Sequence, residues 1–133
     1  MRQSGAVEAL WQRYKGKAEF LLVYVREAHP NLIKEEDVPG GEAATPPKTL
    51  AQRAALAKKL YDVTKITLPC VLDLMDDAVD RAYAARPDRI CIVDIDGKVG
   101  YYSGPGPGGF KPREAQAALE KILANDGRMV ETE

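Results

Sequence analysis

Apolar positions along this chain follow two rhythms, and the alternation between them predicts the elements. In residues 4–15 Val7, Leu10, Trp11 and Tyr14 recur at three- and four-residue spacing, which predicts an amphipathic helix with Ser4 as its N-cap and Gly16 as its stop. The rhythm then changes. Phe20, Leu21, Leu22, Val23, Tyr24 and Val25 form a continuous apolar run with no polar alternation. Such a run predicts a strand from about residue 18 to 25, buried on both faces. It breaks abruptly into Arg26, Glu27 and the single histidine, His29. Helical spacing returns over 49–65, where Leu50, Ala54, Leu56, Leu60 and Tyr61 recur and Lys58, Lys59 and Lys65 load the carboxyl end. Residues 66–73, ITLPCVLD, read as a short strand with Pro69 at its start or on an edge, because proline cannot donate to a ladder. Asp73 is expected to cap a helix reaching about residue 85, with Met75, Val79 and Tyr83 inward. Two apolar stretches around Asp96-Gly97 then predict a hairpin. Pro112 opens a last helix whose Ala115, Leu119, Ile122 and Leu123 share one face before Gly127 ends it.

Strands alternating with helices and closing in a hairpin imply an α/β domain with a mixed sheet and helices on both faces. At 133 residues and 45% hydrophobic positions the chain suffices for one ordinary core, so residues 1–133 are read as a single domain. Residues 31–48, acidic and rich in Pro and Gly, form a long flexible loop: a mobile surface insertion or a lid over a site. Residues 128–133 read as a loose tail. Nineteen Lys and Arg stand against 20 Asp and Glu, a balance that gives no field to gather nucleic acid or an anionic membrane surface. Without a run approaching the roughly 20 apolar residues of a membrane span, the expected location is the cytoplasm. Cys70 and Cys91 both fall in apolar runs and read as buried free thiols of a reducing compartment. One histidine and two strand cysteines assemble no common zinc set, so no metal is expected.

The stretches FLLVYVREAHP, PCVLD, AVDRAYAARPDRICIVDIDGKVGYYSGPGPGGFKP and LEKIL, taken with the element order, resemble the iodothyronine deiodinase family of the thioredoxin superfamily. The resemblance covers most of the chain outside 31–48. It implies a thioredoxin-like fold and, as activity, reductive removal of iodine from an iodinated phenol such as thyroxine. A thiol or selenol would act as nucleophile, an external thiol would be the reductant, and no other cofactor is implied. Family members are similar in carrying a first strand and then a turn holding selenocysteine or cysteine, two prolines and Phe, ahead of a helix like the one that opens here. Met1 stands where that Phe would stand, so the resemblance leaves the first strand and the nucleophile outside this sequence. A selenocysteine codon read as a stop would produce such a start. On this reading the chain as given is expected to be inactive, and its sheet to expose an edge that invites dimerisation.

The resemblance also gives roles to residues. Glu27 and His29 match the family's Glu-Ala-His triplet and would bind the phenolic hydroxyl and move protons. Tyr24, Arg26 and Phe110 would line the pocket. The chemistry suits the residues, since an imidazole titrates near neutrality and a carboxylate two positions away can orient it. Read structurally, His29 is a strand-end histidine bonded to backbone and Glu27 is solvated. A second histidine that the family carries is absent, the aligned stretch reading PPKTLAQR. Cys70, beside Pro69, is either a small buried hydrophobe or a redox thiol resolving an oxidised intermediate. Two further readings stay open: a non-catalytic binding module of the same fold, and a thiol peroxidase or disulfide reductase using Cys70. Gly104–Gly109 satisfies G-x-G-x-x-G but contains two prolines and lacks a following strand with an acidic residue, so it reads as a rigid strand-to-helix connection. The clustered Asp73, Asp76, Asp77 and Asp80 spread over more than one helix face and are expected to serve capping.

Overall fold

The apolar run from Phe20 to Val25 feeds both halves of the core. The computed structural model describes residues 2–130. Phe20 packs against Leu10 and Tyr14 of helix α1 (Arg2–Tyr14) and Leu119 of helix α4 (Pro112–Ala124), with Ala18, Ile92 and Leu123 completing the cluster. Tyr24, four residues on, packs instead against Ile33, Val38 and Leu56, the last from helix α2 (Leu50–Thr64). Between these clusters strand β1 (Leu22–Tyr24) pairs in parallel with β2 (Cys70–Leu72), Leu22 opposite Cys70 and Tyr24 opposite Leu72. Helix α3 (Ala78–Tyr83) follows, and then the antiparallel hairpin of β3 (Cys91–Val93) and β4 (Val99–Tyr102), bulged between Ile92 and Val93. Element order and pairing are those of a thioredoxin-like α/β fold.

The expected mixed sheet is present as two separate ladders, β1-β2 and β3-β4. Among the described residues no strand pairs with the second edge of β1 or of β3. This also corrects the expectation for residues 18–25. Only three of them are paired, and Leu21 is 57% exposed rather than buried, because a strand with one neighbour cannot be covered as a central strand is. Helix α1 starts at Arg2, so Ser4 is inside it and is not its N-cap. Helix α3 is shorter than predicted. A turn closed by Asp77 N–H on the Leu74 carbonyl, with Asp77 at φ 58°, delays its start to Ala78 and leaves Met75 and Tyr83 exposed. Asp73 nevertheless caps it from a distance, its buried carboxylate accepting from the amides of Val79 (3.0 Å) and Asp80 (2.9 Å).

Three polar clamps join elements far apart in sequence. Arg53, only 3% exposed, donates from Nη1 to the carbonyls of Asp73 (2.9 Å) and Leu74 (2.8 Å) and from Nη2 to Asp77 Oδ1 (2.9 Å), fastening α2 to the turn before α3. The Glu8 carboxylate accepts from the amides of Thr67 (2.9 Å) and Leu68 (3.2 Å) and from the Thr67 hydroxyl, tying α1 to the segment that enters β2. Asp94 accepts from the amides of Asp96 and Lys98 within the hairpin turn, both at 2.9 Å, and from Met129 beyond α4 at 3.0 Å.

Residues 31–48 take in the end of one 3-10 turn, Pro30–Leu32, and the whole of a second, Glu35–Asp37. Ile33 and Val38 are buried at 6% and 1% exposure, the Ala44 amide donates to the Ile33 carbonyl, and Asp37 pairs with Lys59 of α2. No helix among the described residues is long and apolar enough to cross a membrane.

Candidate functional site

Where β1 ends, the chain turns from apolar to polar within three residues, and here the Tyr24 and Glu27 side chains meet the His29 backbone. Residues Leu22 and Tyr24 direct backbone groups toward β2, through Leu22 N–H to the Pro69 carbonyl and the Tyr24 carbonyl to Asp73 N–H. The Tyr24 ring thus lies in the cluster of Ile33, Val38 and Leu56 while its hydroxyl reaches Glu27 Oε2 at 3.3 Å. The other carboxylate oxygen, Oε1, accepts from the backbone N–H of His29 at 3.1 Å. Glu27 is therefore held at both oxygens rather than left free in solvent. Its bond to His29 is to the backbone and not to the ring. The imidazole, exposed, makes no hydrogen bond among the described residues. Chemically this is a fixed carboxylate beside a ring free to meet an incoming polar group.

The low-polarity surroundings act on the Tyr24 hydroxyl. Burial first, and the adjacent Glu27 carboxylate second, push its hydroxyl well above the usual tyrosine range, so it remains a hydrogen-bond donor. Cys70 stands next to this group, opposite Leu22 in the ladder. Burial pushes the Cys70 thiol up; hydrogen bonds with the Tyr61 hydroxyl and the Tyr24 backbone act in the opposite direction without overcoming it. Tyr61, whose hydroxyl donates to the Leu68 carbonyl at 2.8 Å, was read from sequence only as an apolar helix position. Nothing in the spacing distinguishes a tyrosine that packs from one whose hydroxyl fastens the next strand. Cys91 is half-buried in β3, and burial raises it too.

Tyr24, Glu27 and the His29 backbone are thus joined by hydrogen bonds, and Cys70 lies on the neighbouring strand, near the Tyr24 backbone. Arg26, exposed, and Phe110, half-buried after the glycine-rich connection, make no hydrogen bond, ion pair or ring contact with them. A cavity of about 480 Å³ lies elsewhere, lined by Asp94, Asp96, Lys98, Asn125, Arg128, Met129 and Val130 at the hairpin turn. Its acidic oxygens are already occupied: Asp94 by three amides and Asp96 by Arg128. No group of three or more His, Cys, Asp or Glu suited to a metal ion occurs among the described residues.

Comparison with known proteins gives the site a context. Residues 1–123 match the family model described as iodothyronine deiodinase. The type I iodothyronine deiodinase of Xenopus laevis is 33% identical over 117 residues, covering 88% of this chain and 45% of that protein. The type II iodothyronine deiodinases of Petromyzon marinus and Rattus norvegicus are 30% and 32% identical over 127 and 126 residues, which are 94% and 90% of this chain. The chain spans less than half the length of these relatives, 43% to 46%.

Proposed function

The chain belongs to the iodothyronine deiodinase family, and we propose that it forms the substrate-holding and proton-handling part of a reductive deiodinase. The observation that carries this reading is the Glu27 carboxylate fixed between the Tyr24 hydroxyl and the His29 amide at the end of β1, with the His29 ring unengaged. An iodinated phenol such as an iodothyronine would place its hydroxyl against Glu27 and His29. The net reaction replaces an aryl C–I bond by C–H. Two thiol groups of an external reductant supply the two electrons and become a disulfide, and iodide and a proton leave.

The attacking sulfur or selenium belongs, on this reading, ahead of α1, where helix amides lower a nucleophile's pKa. Neither Cys70 nor Cys91 suits that task, since both stand in strands and burial raises both thiols. Under the same reading the protein works in the reducing cytoplasm and pairs with a second copy through the free strand edges. Sedimentation that stays monomeric at high concentration would discard the pairing.

The experiment is titration of the 133-residue chain with an iodinated phenol, alongside iodide release in the presence of dithiothreitol. Binding is expected to weaken about tenfold in His29→Ala and in Glu27→Gln, the loss of one charge-assisted hydrogen bond. Unchanged binding in both variants would refute the proposed site. Binding without iodide release, in a chain whose upstream frame holds no nucleophile, would identify a binding module instead. Rapid alkylation of Cys70 at neutral pH would favour a thiol-based reductase.

A further inference from the structure

Residues 31–48 have a core of their own, and two of its contacts lead straight into the Glu27 arm. Ile33 and Val38, which follow the two 3-10 turns, form with Leu56 the cluster against which Tyr24 packs. The His29 carbonyl accepts the Leu32 amide that opens the first turn, so the residue ending the arm also begins the segment. The remainder is lightly held: Leu32, Glu35, Glu36, Pro39, Gly40 and Glu42 are exposed. At its tip Gly40, at φ +76°, takes a backbone conformation that side chains rarely adopt. Two side-chain ties cross to α2 among the described residues: Gln52 Oε1 accepts the Lys48 amide at 2.8 Å where the segment joins the helix, and Asp37, farther out, pairs with Lys59 and also accepts the Lys34 amide at 3.1 Å. Lys59 beside Asp37 holds that carboxyl below the usual range, which keeps the tie charged at neutral pH.

We propose that residues 31–48 form a flap latched by the Asp37–Lys59 pair, and that its closure sets the position of Glu27 and His29 through Tyr24. With the flap closed, Ile33 and Val38 hold the Tyr24 ring and its hydroxyl meets Glu27. With the flap open, the ring loses the packing that Ile33 and Val38 supply and the His29 carbonyl loses its partner. Glu27 then has neither its hydroxyl donor nor a fixed His29 amide. The latch is exposed on the lysine side, so it is weak and responsive to salt, as a gate requires. This inference concerns the arm's geometry and holds whatever ligand the arm receives.

Amide hydrogen exchange on the full chain tests it without any ligand. The amides of Val38, Gly41 and Ala44 are bonded within the flap, that of Ile33 to the Pro30 carbonyl at its base, and that of His29 to Glu27. In Lys59→Gln these five should exchange faster by a common factor of about two to five, the size of one exposed ion pair. The Lys98 amide and the β3-β4 hairpin should not change. Added sodium chloride should speed the same five amides in the parent protein and not further in Lys59→Gln. Val38→Ala, which removes the apolar anchor, should give the same pattern with a larger factor. The proposal is overturned if the flap amides speed up while His29 does not, if none changes in Lys59→Gln, or if the hairpin amides accelerate equally. Should Val38→Ala fail to fold, the Lys59→Gln pattern decides by itself.

Discussion

Glu8 sits on α1 at a position where a solvated carboxylate would be unremarkable, yet replacing it should cost the protein a substantial share of its stability. Its two oxygens serve four donors: the amides of Thr67 and Leu68 and the Thr67 hydroxyl, in a segment about sixty residues away, and the Gln12 side-chain amide at 3.4 Å one turn on. Burial alone would raise its pKa, but the Thr67 and Leu68 bonds outweigh that and lower it below the ordinary glutamate value. Glu8→Gln keeps one acceptor oxygen and turns the other into an NH2 group facing donors. A hydrogen bond to a charged group contributes about 1.5–3 kcal/mol when well shielded, and this site is partly open to water. We therefore expect a loss of about 1–2 kcal/mol at neutral pH, a fall in Tm of about 4–8 °C.

The pH dependence gives the sharper test. A carboxylate whose folded pKa is depressed contributes stability that is fully present above its unfolded value, about 4.3, and is lost as pH falls through the folded value. The gap between parent and Glu8→Gln should accordingly be complete at pH 7 and close in acid, where the parent's own Glu8 is protonated. Urea unfolding followed by circular dichroism at both pH values measures it. A gap that is the same at pH 7 and pH 3, or absent at pH 7, would refute the reasoning.

Two further predictions rest on single side chains. Arg53→Met keeps the length but strands the carbonyls of Asp73 and Leu74 and the Asp77 carboxylate, and should lower unfolding free energy by about 3–5 kcal/mol in urea titration; a loss below about 1 kcal/mol would show the clamp to be dispensable. In the glycine-rich connection, a Cβ on Gly109 would lie 2.4 Å from the Gly104 carbonyl carbon and 2.6 Å from the Pro105 oxygen, whereas one on Gly108 meets nothing within 4 Å. Thermal unfolding should show Gly109→Ala destabilised by about 1–3 kcal/mol and Gly108→Ala within about 0.5, and equal effects would contradict the packing.

Helices were legible where periodicity and caps agreed. Thr49 accepts the Gln52 amide at the start of α2, Pro112 opens α4, and Gly127 after it sits at φ +82°. Strand limits were not legible, because apolarity records burial whereas a ladder requires a neighbour. Six apolar residues at 20–25 therefore yielded three paired ones. The clamps were hidden for a different reason. The acidic DLMDDAVD segment read as capping alone, and the partner that buries Asp77's neighbourhood, Arg53, lies more than twenty positions earlier on a helix where arginine is ordinarily solvated. At the site, sequence singled out Glu27, His29 and Tyr24. It did not reveal that Glu27 grips the His29 backbone and leaves the ring alone, since that depends on how tightly the chain turns after β1.

The Asp94 carboxylate has a consequence for the order in which the molecule is made. Two of its donors lie within the hairpin turn, but the third, the Met129 amide, comes 35 residues later. The turn can form as soon as residue 98 is available, yet Asp94 Oδ2 must stay with water until α4 and the segment after it, through Met129, have docked. This corner of the fold is consequently incomplete until the segment after α4 has docked, and its completion marks that docking.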